Sequence, residues 1–94
     1  MLSIKIDELL KLNNPNIIDI RAIQSFNNNH IASAKNIPNL KLLENPNKYL
    51  SKTQRYYIYC QKGITSLKTC QMLNRQGFNT VNIIGGYEAW MLNN

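Results

Sequence analysis

The chain has 94 residues, 44% of them hydrophobic, and this is the size and composition of a single small folded domain spanning residues 1–94. Two cysteines cannot form a disulfide framework, and with one histidine and no Cys-x-x-Cys pair they argue against a zinc site and for a reducing, cytoplasmic setting. The net charge of +6 comes from scattered basic residues, which favours a surface that attracts small anions or an acidic partner protein over a nucleic-acid interface.

The first half of the chain alternates segments typical of strands and helices, and its N-terminus lacks the long apolar run of a signal peptide or membrane span. In order, we predict strand Ser3–Ile4, helix Ile6–Leu12, strand Ile17–Ile20, helix Ala22–Asn27, strand Ala34–Ile37 and helix Leu40–Glu44. Ile6, Leu9 and Leu10 are expected to face the core from the first helix. Asn28 and Asn29 are expected to end the second helix in left-handed conformations.

The second half continues the alternation. We predict a loop or single turn Asn47–Gln54, strand Tyr56–Tyr59, loop Cys60–Thr65, helix Ser66–Gln76, strand Thr80–Ile84, turn Gly85–Gly86 and helix Tyr87–Leu92. Gly77 is expected to cap the helix that precedes it. Alternating strands and helices predict an α/β domain with a small, mostly parallel sheet flanked by helices on both faces.

The segment around Cys60 combines features of a reactive thiol. Cys60 follows a predicted strand and precedes a predicted helix, which is where ligands bind in open α/β sheets. The first amides of a helix lack internal partners, a loop glycine such as Gly63 can turn more amides inward, and Lys62 adds a positive charge. We therefore predict a thiol pKa below the usual value of about 8.5. The alternative is an inert cysteine buried at the end of a strand.

Five segments, in matching order and spacing from Ile4 to Leu92, resemble the rhodanese family of sulfurtransferases. They are Ile17–Arg21 (a strand ending in Asp-x-Arg), Asn29–Pro38 (a His-Ile…Ala…Asn-Ile-Pro stretch), Tyr59–Ser66 (the Tyr-Cys-x-x-Gly-x-Arg-Ser loop), Leu73–Phe78 (a Leu-x-x-x-Gly-Phe helix end) and Ile84–Trp90 (a Gly-Gly-x-x-x-Trp close). The resemblance implies a rhodanese-like fold over nearly the whole chain.

The resemblance also implies a mechanism through a persulfide on Cys60. Its thiolate would take sulfane sulfur from a small anionic donor such as thiosulfate, from a polysulfide or from a protein persulfide, and pass it to cyanide, a thiol or an acceptor protein. The chemistry requires an activated thiolate and donors for anionic sulfur, but no metal or organic cofactor. The residues expected to bind the substrate are those of the loop: Gln61, Lys62, Gly63, Ile64, Thr65 and Ser66.

The chain departs from the family pattern at two positions. Thr65 stands where many members have arginine, so thiosulfate is expected to be a poor donor, because the point charge of Lys62 does not reproduce a bidentate guanidinium. Asn29 replaces a glycine before His30, and asparagine tolerates a positive φ. Phosphatases that share the fold need an arginine where this chain has Ser66, which argues against phosphatase activity.

Several other residues have two interpretations. Asp19 and Arg21 could contact the substrate, but we favour a structural ion pair at the end of their strand. We expect His30 to bond the backbone and Cys70 to pack in the core rather than to act as a resolving thiol.

Two functions remain open from the sequence. The first is a sulfurtransferase or sulfur carrier, which the intact Cys60 favours. The second is a non-catalytic rhodanese-like module that binds a partner protein, and Thr65 keeps this alternative open.

Overall fold

The computed structural model describes residues 1–93 and contains a five-stranded parallel sheet. Its strands are β1 (Ser3–Ile4), β2 (Asn16–Asp19), β3 (Lys35–Asn36), β4 (Arg55–Tyr59) and β5 (Asn79–Ile83). The spatial order is β1-β5-β4-β2-β3, and each neighbouring pair is parallel. The predicted α/β class with a mostly parallel sheet is confirmed.

Helices cover both faces of this sheet. They are α1 (Ile6–Leu9), α2 (Ile23–Asn28), α3 (Asn39–Glu44), α4 (Pro46–Tyr49), α5 (Ile64–Arg75) and α6 (Gly86–Asn93). One apolar cluster joins α1 and strand residues to side chains of α2 and α6, and a second joins the other sheet face to α3 and α5. Within residues 1–93, none of these helices has both the length and the apolar composition needed to span a bilayer.

Strand β4 lies at the centre of the sheet and determines which way Cys60 faces. Tyr57 and Tyr59 belong to one core cluster, whereas Ile58 and Cys60 belong to the other. This is the two-residue alternation of a strand that is buried on both faces. Cys60 is therefore directed toward the face covered by α5, and the buried β4 gives it a rigid base.

Helix α1 is shorter than the predicted Ile6–Leu12, and one of its expected core positions is wrong. Ile6 and Leu9 are buried, but Leu10 is 53% exposed. After Leu9 the backbone tightens, since Lys11 N–H donates to the carbonyl of Glu8, three residues back. This 3₁₀-type bond ends the helix after Leu9, and Leu10 is left facing solvent.

The prediction of left-handed asparagines after α2 is also wrong. Asn28 is the last residue of the helix, and Asn29 follows it in an extended conformation with φ of −168°. Any residue can adopt that conformation, so the change from glycine to asparagine at this position requires no special backbone. Among the residues that the structure describes, the non-glycine residues with positive φ are Asn14 and Ser33. The other predicted elements are present, with ends that differ by a few residues.

Candidate active site

The loop that carries Cys60 is shorter than predicted. Helix α5 begins at Ile64, so the loop comprises Cys60–Gly63, and Thr65 lies in the first turn of the helix rather than in the loop. Gly63 is the N-cap residue and has φ of +91°, a left-handed conformation that glycine adopts without strain. This sharp turn brings the helix N-terminus directly above the sulfur of Cys60.

Three groups surround the Cys60 sulfur at hydrogen-bonding distance. The amide of Gly63 donates to Sγ at 3.2 Å, and the amide of Ser66 donates at 3.3 Å. The hydroxyl oxygen of Ser66 lies 3.2 Å from the same sulfur. The side chain is 8% exposed, so the sulfur is largely removed from water. Two convergent amides at a helix N-terminus form a nest for a thiolate or another anionic sulfur.

These contacts determine the acidity of the thiol. Burial raises the pKa of Cys60, but the Ser66 hydroxyl and the amides of Ser66, Gly63 and Lys62 outweigh it, and the pKa lies below that of an ordinary thiol. The direction agrees with the sequence-based expectation, but the cause differs in one respect. The contribution from Lys62 comes through its backbone amide, whereas the sequence analysis had stressed its ammonium charge.

The first turn of α6 holds the loop from the other side. The amide of Tyr87 donates to the Cys60 carbonyl at 2.9 Å, and the amide of Glu88 donates to the Gln61 carbonyl at 3.1 Å. A Cβ at Gly86 would overlap the Cys60 carbonyl oxygen. The absence of a side chain at Gly86 therefore allows the first turn of α6 to lie close to the backbone of the Cys60 loop.

Asp19 and Arg21 form a buried ion pair beside the loop. The register of β2 and β4 places Asp19 next to Tyr59. A guanidinium nitrogen of Arg21 lies 2.8 Å from a carboxylate oxygen of Asp19, and both side chains are less than a tenth exposed. A second guanidinium nitrogen donates to Gln61 Oε1 at 3.3 Å, and the group stacks 4.1 Å from the centre of the Tyr87 ring. The pair thus links β2, the loop and α6.

An open cavity of about 460 Å³ leads to the sulfur. It is lined by Ile20, Arg21, Cys60, Gln61, Lys62, Ile64 and Thr65. The residues expected to bind substrate therefore fall into two groups. Gln61, Lys62, Ile64 and Thr65 are exposed at the cavity mouth, whereas Gly63 and Ser66 are buried and contact the sulfur.

One residue of the site was missed by the sequence analysis. Asn82 lies on β5 and is 3% exposed, and its Oδ1 accepts a hydrogen bond from the Ser66 hydroxyl at 2.5 Å. Its Nδ2 donates to the Gly63 carbonyl at 3.4 Å. The available signal was a single amide side chain inside the apolar segment Thr80–Ile84, since a buried amide needs partners.

His30 and Cys70 are not among the residues that hydrogen-bond the Cys60 sulfur, which are Gly63 and Ser66. His30 Nδ1 lies 2.9 Å from the carbonyl oxygen of Phe26, which confirms the expected bond to the backbone. Cys70 is fully buried, and burial raises its pKa to about 11. A buried thiol of that pKa is a poor nucleophile, so its expected role as a core residue is confirmed.

Comparison with known proteins finds relatives that match most of this chain. The family profile of the Rhodanese-like domain matches residues 5–93. The thiosulfate sulfurtransferase GlpE of Coxiella burnetii is 38% identical over 84 residues, which is 88% of this chain and 78% of that protein. The GlpE of Shewanella oneidensis is 37% identical over 79% of this chain and 73% of that protein. A crystal structure of a rhodanese-like domain protein from Staphylococcus aureus has a TM-score of 0.84 and 34% identity, covering 96% of this chain and 91% of that one.

Proposed function

The chain belongs to the family of rhodanese-like domains, and from this we propose that it is a sulfurtransferase or sulfur carrier that acts through a persulfide on Cys60. The observation that carries the proposal is the environment of the Cys60 sulfur. Two amides and a hydroxyl converge on it at the end of an open cavity, and they lower the pKa of the thiol. A persulfide mechanism needs this combination of an acidic thiol and access.

In the first step the Cys60 thiolate attacks the sulfane sulfur of a donor. A new S–S bond forms on Cys60, the S–S bond of the donor breaks, and the leaving group departs with the electron pair, as sulfite does when thiosulfate is the donor. The amides of Gly63 and Ser66 hold the thiolate before attack. The positive end of the α5 dipole stabilises negative charge close to the sulfur throughout the exchange.

In the second step a nucleophilic acceptor attacks the outer sulfur of the persulfide. The S–S bond to Cys60 breaks, the bond to the acceptor forms, and Cys60 leaves as the thiolate, so no external oxidant or reductant is consumed. The same donors that lower the pKa of Cys60 make it a good leaving group. Cyanide, a small thiol and an acceptor protein all satisfy this chemistry, and a reducing, cytoplasmic setting keeps Cys60 available.

The donor is proposed to be a small anion or a persulfide. Lys62 at the cavity mouth and the net charge of +6 favour anionic donors. The relatives named thiosulfate sulfurtransferase support thiosulfate itself, whereas Thr65 in place of an arginine weakens its binding. Polysulfides and protein persulfides depend less on that arginine. We propose that residues 1–94 act as one domain.

The alternative function is a non-catalytic module that binds a partner protein. The observation in its favour is Ile64, which is 64% exposed and lines the cavity mouth, where an apolar surface of a partner could cover it. Such a module would not need an acidic thiol, and for this reason the two functions can be separated by experiment.

Intact mass spectrometry after exposure to thiosulfate or to a polysulfide tests the proposal. The wild-type protein is expected to gain the mass of one sulfur atom, located on Cys60 by peptide mapping, and to lose it on addition of cyanide. Cys60→Ser should gain none. Cys70→Ala is the matched control and should load like wild type, because Cys70 is buried. No loading of the wild type by either donor, with the fold intact, would favour the binding module.

A further inference from the structure

The hydroxyl of Ser66 lies between two groups that compete for its only hydrogen. It is 3.2 Å from Cys60 Sγ and 2.5 Å from Asn82 Oδ1. Ser66 is fully buried and Asn82 is 3% exposed, so water cannot readily replace either partner. A serine hydroxyl donates one hydrogen bond and can accept two. The protonation state of the sulfur therefore determines where that hydrogen can point.

When Cys60 is a thiol, all the hydrogen bonds can form together. The thiol donates to Ser66 Oγ, the Ser66 hydroxyl donates to Asn82 Oδ1, and Asn82 Nδ2 donates to the Gly63 carbonyl. A carbonyl oxygen only accepts, so the bond to Gly63 fixes the amide of Asn82 with Oδ1 toward the serine. Each hydrogen bond from Cys60 to the Gly63 carbonyl thus has one donor and one acceptor.

When Cys60 is a thiolate, the same chain of bonds is broken. The sulfur can now only accept, and the best additional donor within reach is the Ser66 hydroxyl. If the hydroxyl turns to the sulfur, Asn82 Oδ1 loses its buried donor; if it stays on Asn82, an oxygen lone pair faces the negative sulfur. Either arrangement makes the thiolate less favourable than it would be if the Ser66 hydroxyl had no acceptor other than the sulfur.

We propose that Asn82 is a positioning residue that restrains the ionisation of Cys60 by holding the hydroxyl hydrogen of Ser66. In the thiol and in the persulfide, Cys60 Sγ itself carries no charge, and the Ser66 hydroxyl continues to donate its hydrogen to Asn82. As negative charge returns to the sulfur during transfer to an acceptor, the hydroxyl turns toward it. The inference takes the proposed persulfide chemistry as its setting, but it is tested by thiol acidity alone.

Other charged and titratable groups lie near Cys60, and they are held by contacts that do not involve Asn82. They are Arg21 and Lys62 at the cavity, Asp19 paired with Arg21, Tyr59 at the end of β4, Cys70 on α5, and Glu88 of α6 next to Gln61. Within residues 1–93, none of them forms a hydrogen bond with the side chain of Asn82. Substitution of Asn82 removes two bonds, one to Ser66 and one to the Gly63 carbonyl, so the effect that passes through Ser66 has to be separated by a second substitution at Ser66.

The test is a double-mutant cycle read by the pH dependence of Cys60 alkylation, located by peptide mapping. Asn82→Leu has a similar shape but no acceptor, and it is expected to lower the Cys60 pKa by roughly half to one pH unit, because the hydroxyl becomes free to make a charge-assisted bond. Ser66→Ala should raise the pKa. The double variant should match Ser66→Ala, since without the hydroxyl Asn82 has nothing to hold.

Thr80→Val is the matched control for loss of a buried polar group on β5. Thr80 is fully buried and its hydroxyl bonds Asn74 Oδ1 at 2.8 Å, away from Ser66. It should lower the melting temperature without changing the Cys60 pKa. If Asn82→Leu does not fold, Asn82→Val, a better strand former, replaces it with the same expected direction.

Two results would overturn the proposal. The first is a Cys60 pKa that is unchanged or raised in the folded Asn82 variant, which would indicate a merely structural role or the opposite amide orientation. The second is a double variant whose pKa differs from that of Ser66→Ala. Failure of sulfur loading in the wild type, with the pKa pattern intact, would contradict the proposed function and leave this inference standing.

Discussion

The carbonyl oxygen of Cys60 accepts a hydrogen bond from the amide of Tyr87 at 2.9 Å, so the peptide of the candidate nucleophile is held by the first turn of α6. This bond is possible because Gly86, the residue before Tyr87, has no side chain and adopts φ of +56°. Helix α6 is therefore part of the scaffold of the candidate active site, although its side chains do not line the cavity that leads to the sulfur.

Substitution of Gly86 by alanine should displace the Cys60 loop. The new Cβ would overlap the Cys60 carbonyl oxygen and would add the strain of a positive φ, so we expect a loss of about 1–3 kcal/mol of stability and slower alkylation of Cys60. Thermal denaturation and alkylation kinetics measure the two effects.

Gly77→Ala is the control for this substitution. Gly77 also has a positive φ, +96°, but a Cβ there would meet only the Lys52 side chain at 3.7 Å, far from the loop. It should lose stability through backbone strain and keep the wild-type reactivity of Cys60. Equal loss of reactivity in both variants would show that general destabilisation, and not the contact between Gly86 and the loop, controls the thiol.

The acidity of Cys60 should depend on Ser66 and not on the Lys62 side chain. The hydroxyl and amide of Ser66 both lower the pKa, whereas Lys62 acts through its backbone amide, which alanine retains. We expect Ser66→Ala to raise the Cys60 pKa and Lys62→Ala to leave it close to wild type in alkylation measured against pH. A large increase of the Cys60 pKa in the Lys62→Ala variant would instead show that the ammonium charge is the main cause of the lowered pKa.

The lowered pKa of Cys60 should also appear in the stability of the protein. Because the folded pKa lies below the unfolded one, the stability contributed by ionisation of Cys60 is present above the unfolded pKa and is lost as the pH falls through the folded pKa. The free energy of unfolding of wild type relative to Cys60→Ala should therefore rise with pH up to about pH 9. A difference that is constant with pH would contradict a lowered pKa.

For Cys70 we expect the opposite dependence of the free energy of unfolding on pH. Its pKa is raised to about 11 by burial, so the stability linked to it is present below the unfolded pKa and is lost as the pH rises toward 11. Chemical denaturation of wild type and Cys70→Ala over the alkaline range measures the free energy of unfolding of each. The difference between them gives the contribution of Cys70 separately from that of Cys60.

The Asp19–Arg21 pair is expected to support the structure rather than the chemistry. Asp19→Asn leaves a buried guanidinium without its counter-ion, which costs about 3–5 kcal/mol when a buried pair is broken. Chemical denaturation should show this loss, while any folded fraction should still accept one sulfur atom. Normal stability with lost sulfur loading would instead assign the carboxylate a direct role.

The alternation of apolar segments and the motifs around Cys60 were sufficient to predict the α/β sheet and the position of the thiol. They could not place the start of α5, because Gly63 could have extended the loop or, as it does, turned the chain at once into the helix. They also missed Asn82, because its role depends on the pairing of β5 with β4, which puts Asn82 next to Ile58. A contact between residues sixteen positions apart is set by sheet register, and composition does not report it.

Thr65 provides the sharpest test of donor choice. It is exposed in the first turn of α5 and lines the cavity, so an arginine there could reach the cavity mouth. We expect Thr65→Arg to increase kcat/KM for thiosulfate by at most roughly ten- to hundredfold, the equivalent of one charge-assisted hydrogen bond. The gain should shrink at high salt, because part of the attraction is screened.

Thr65→Gln is the matched control, since it is long and polar but uncharged, and it should leave thiosulfate turnover close to wild type. An uncharged sulfur donor should gain much less from the arginine than thiosulfate, because it offers no anionic oxygens to the guanidinium. Steady-state assays of the three proteins with both donors decide the matter. If Thr65→Arg stays folded and thiosulfate turnover does not change, then the amides of α5 and Lys62 already hold the anion, and the absence of the arginine does not limit this protein.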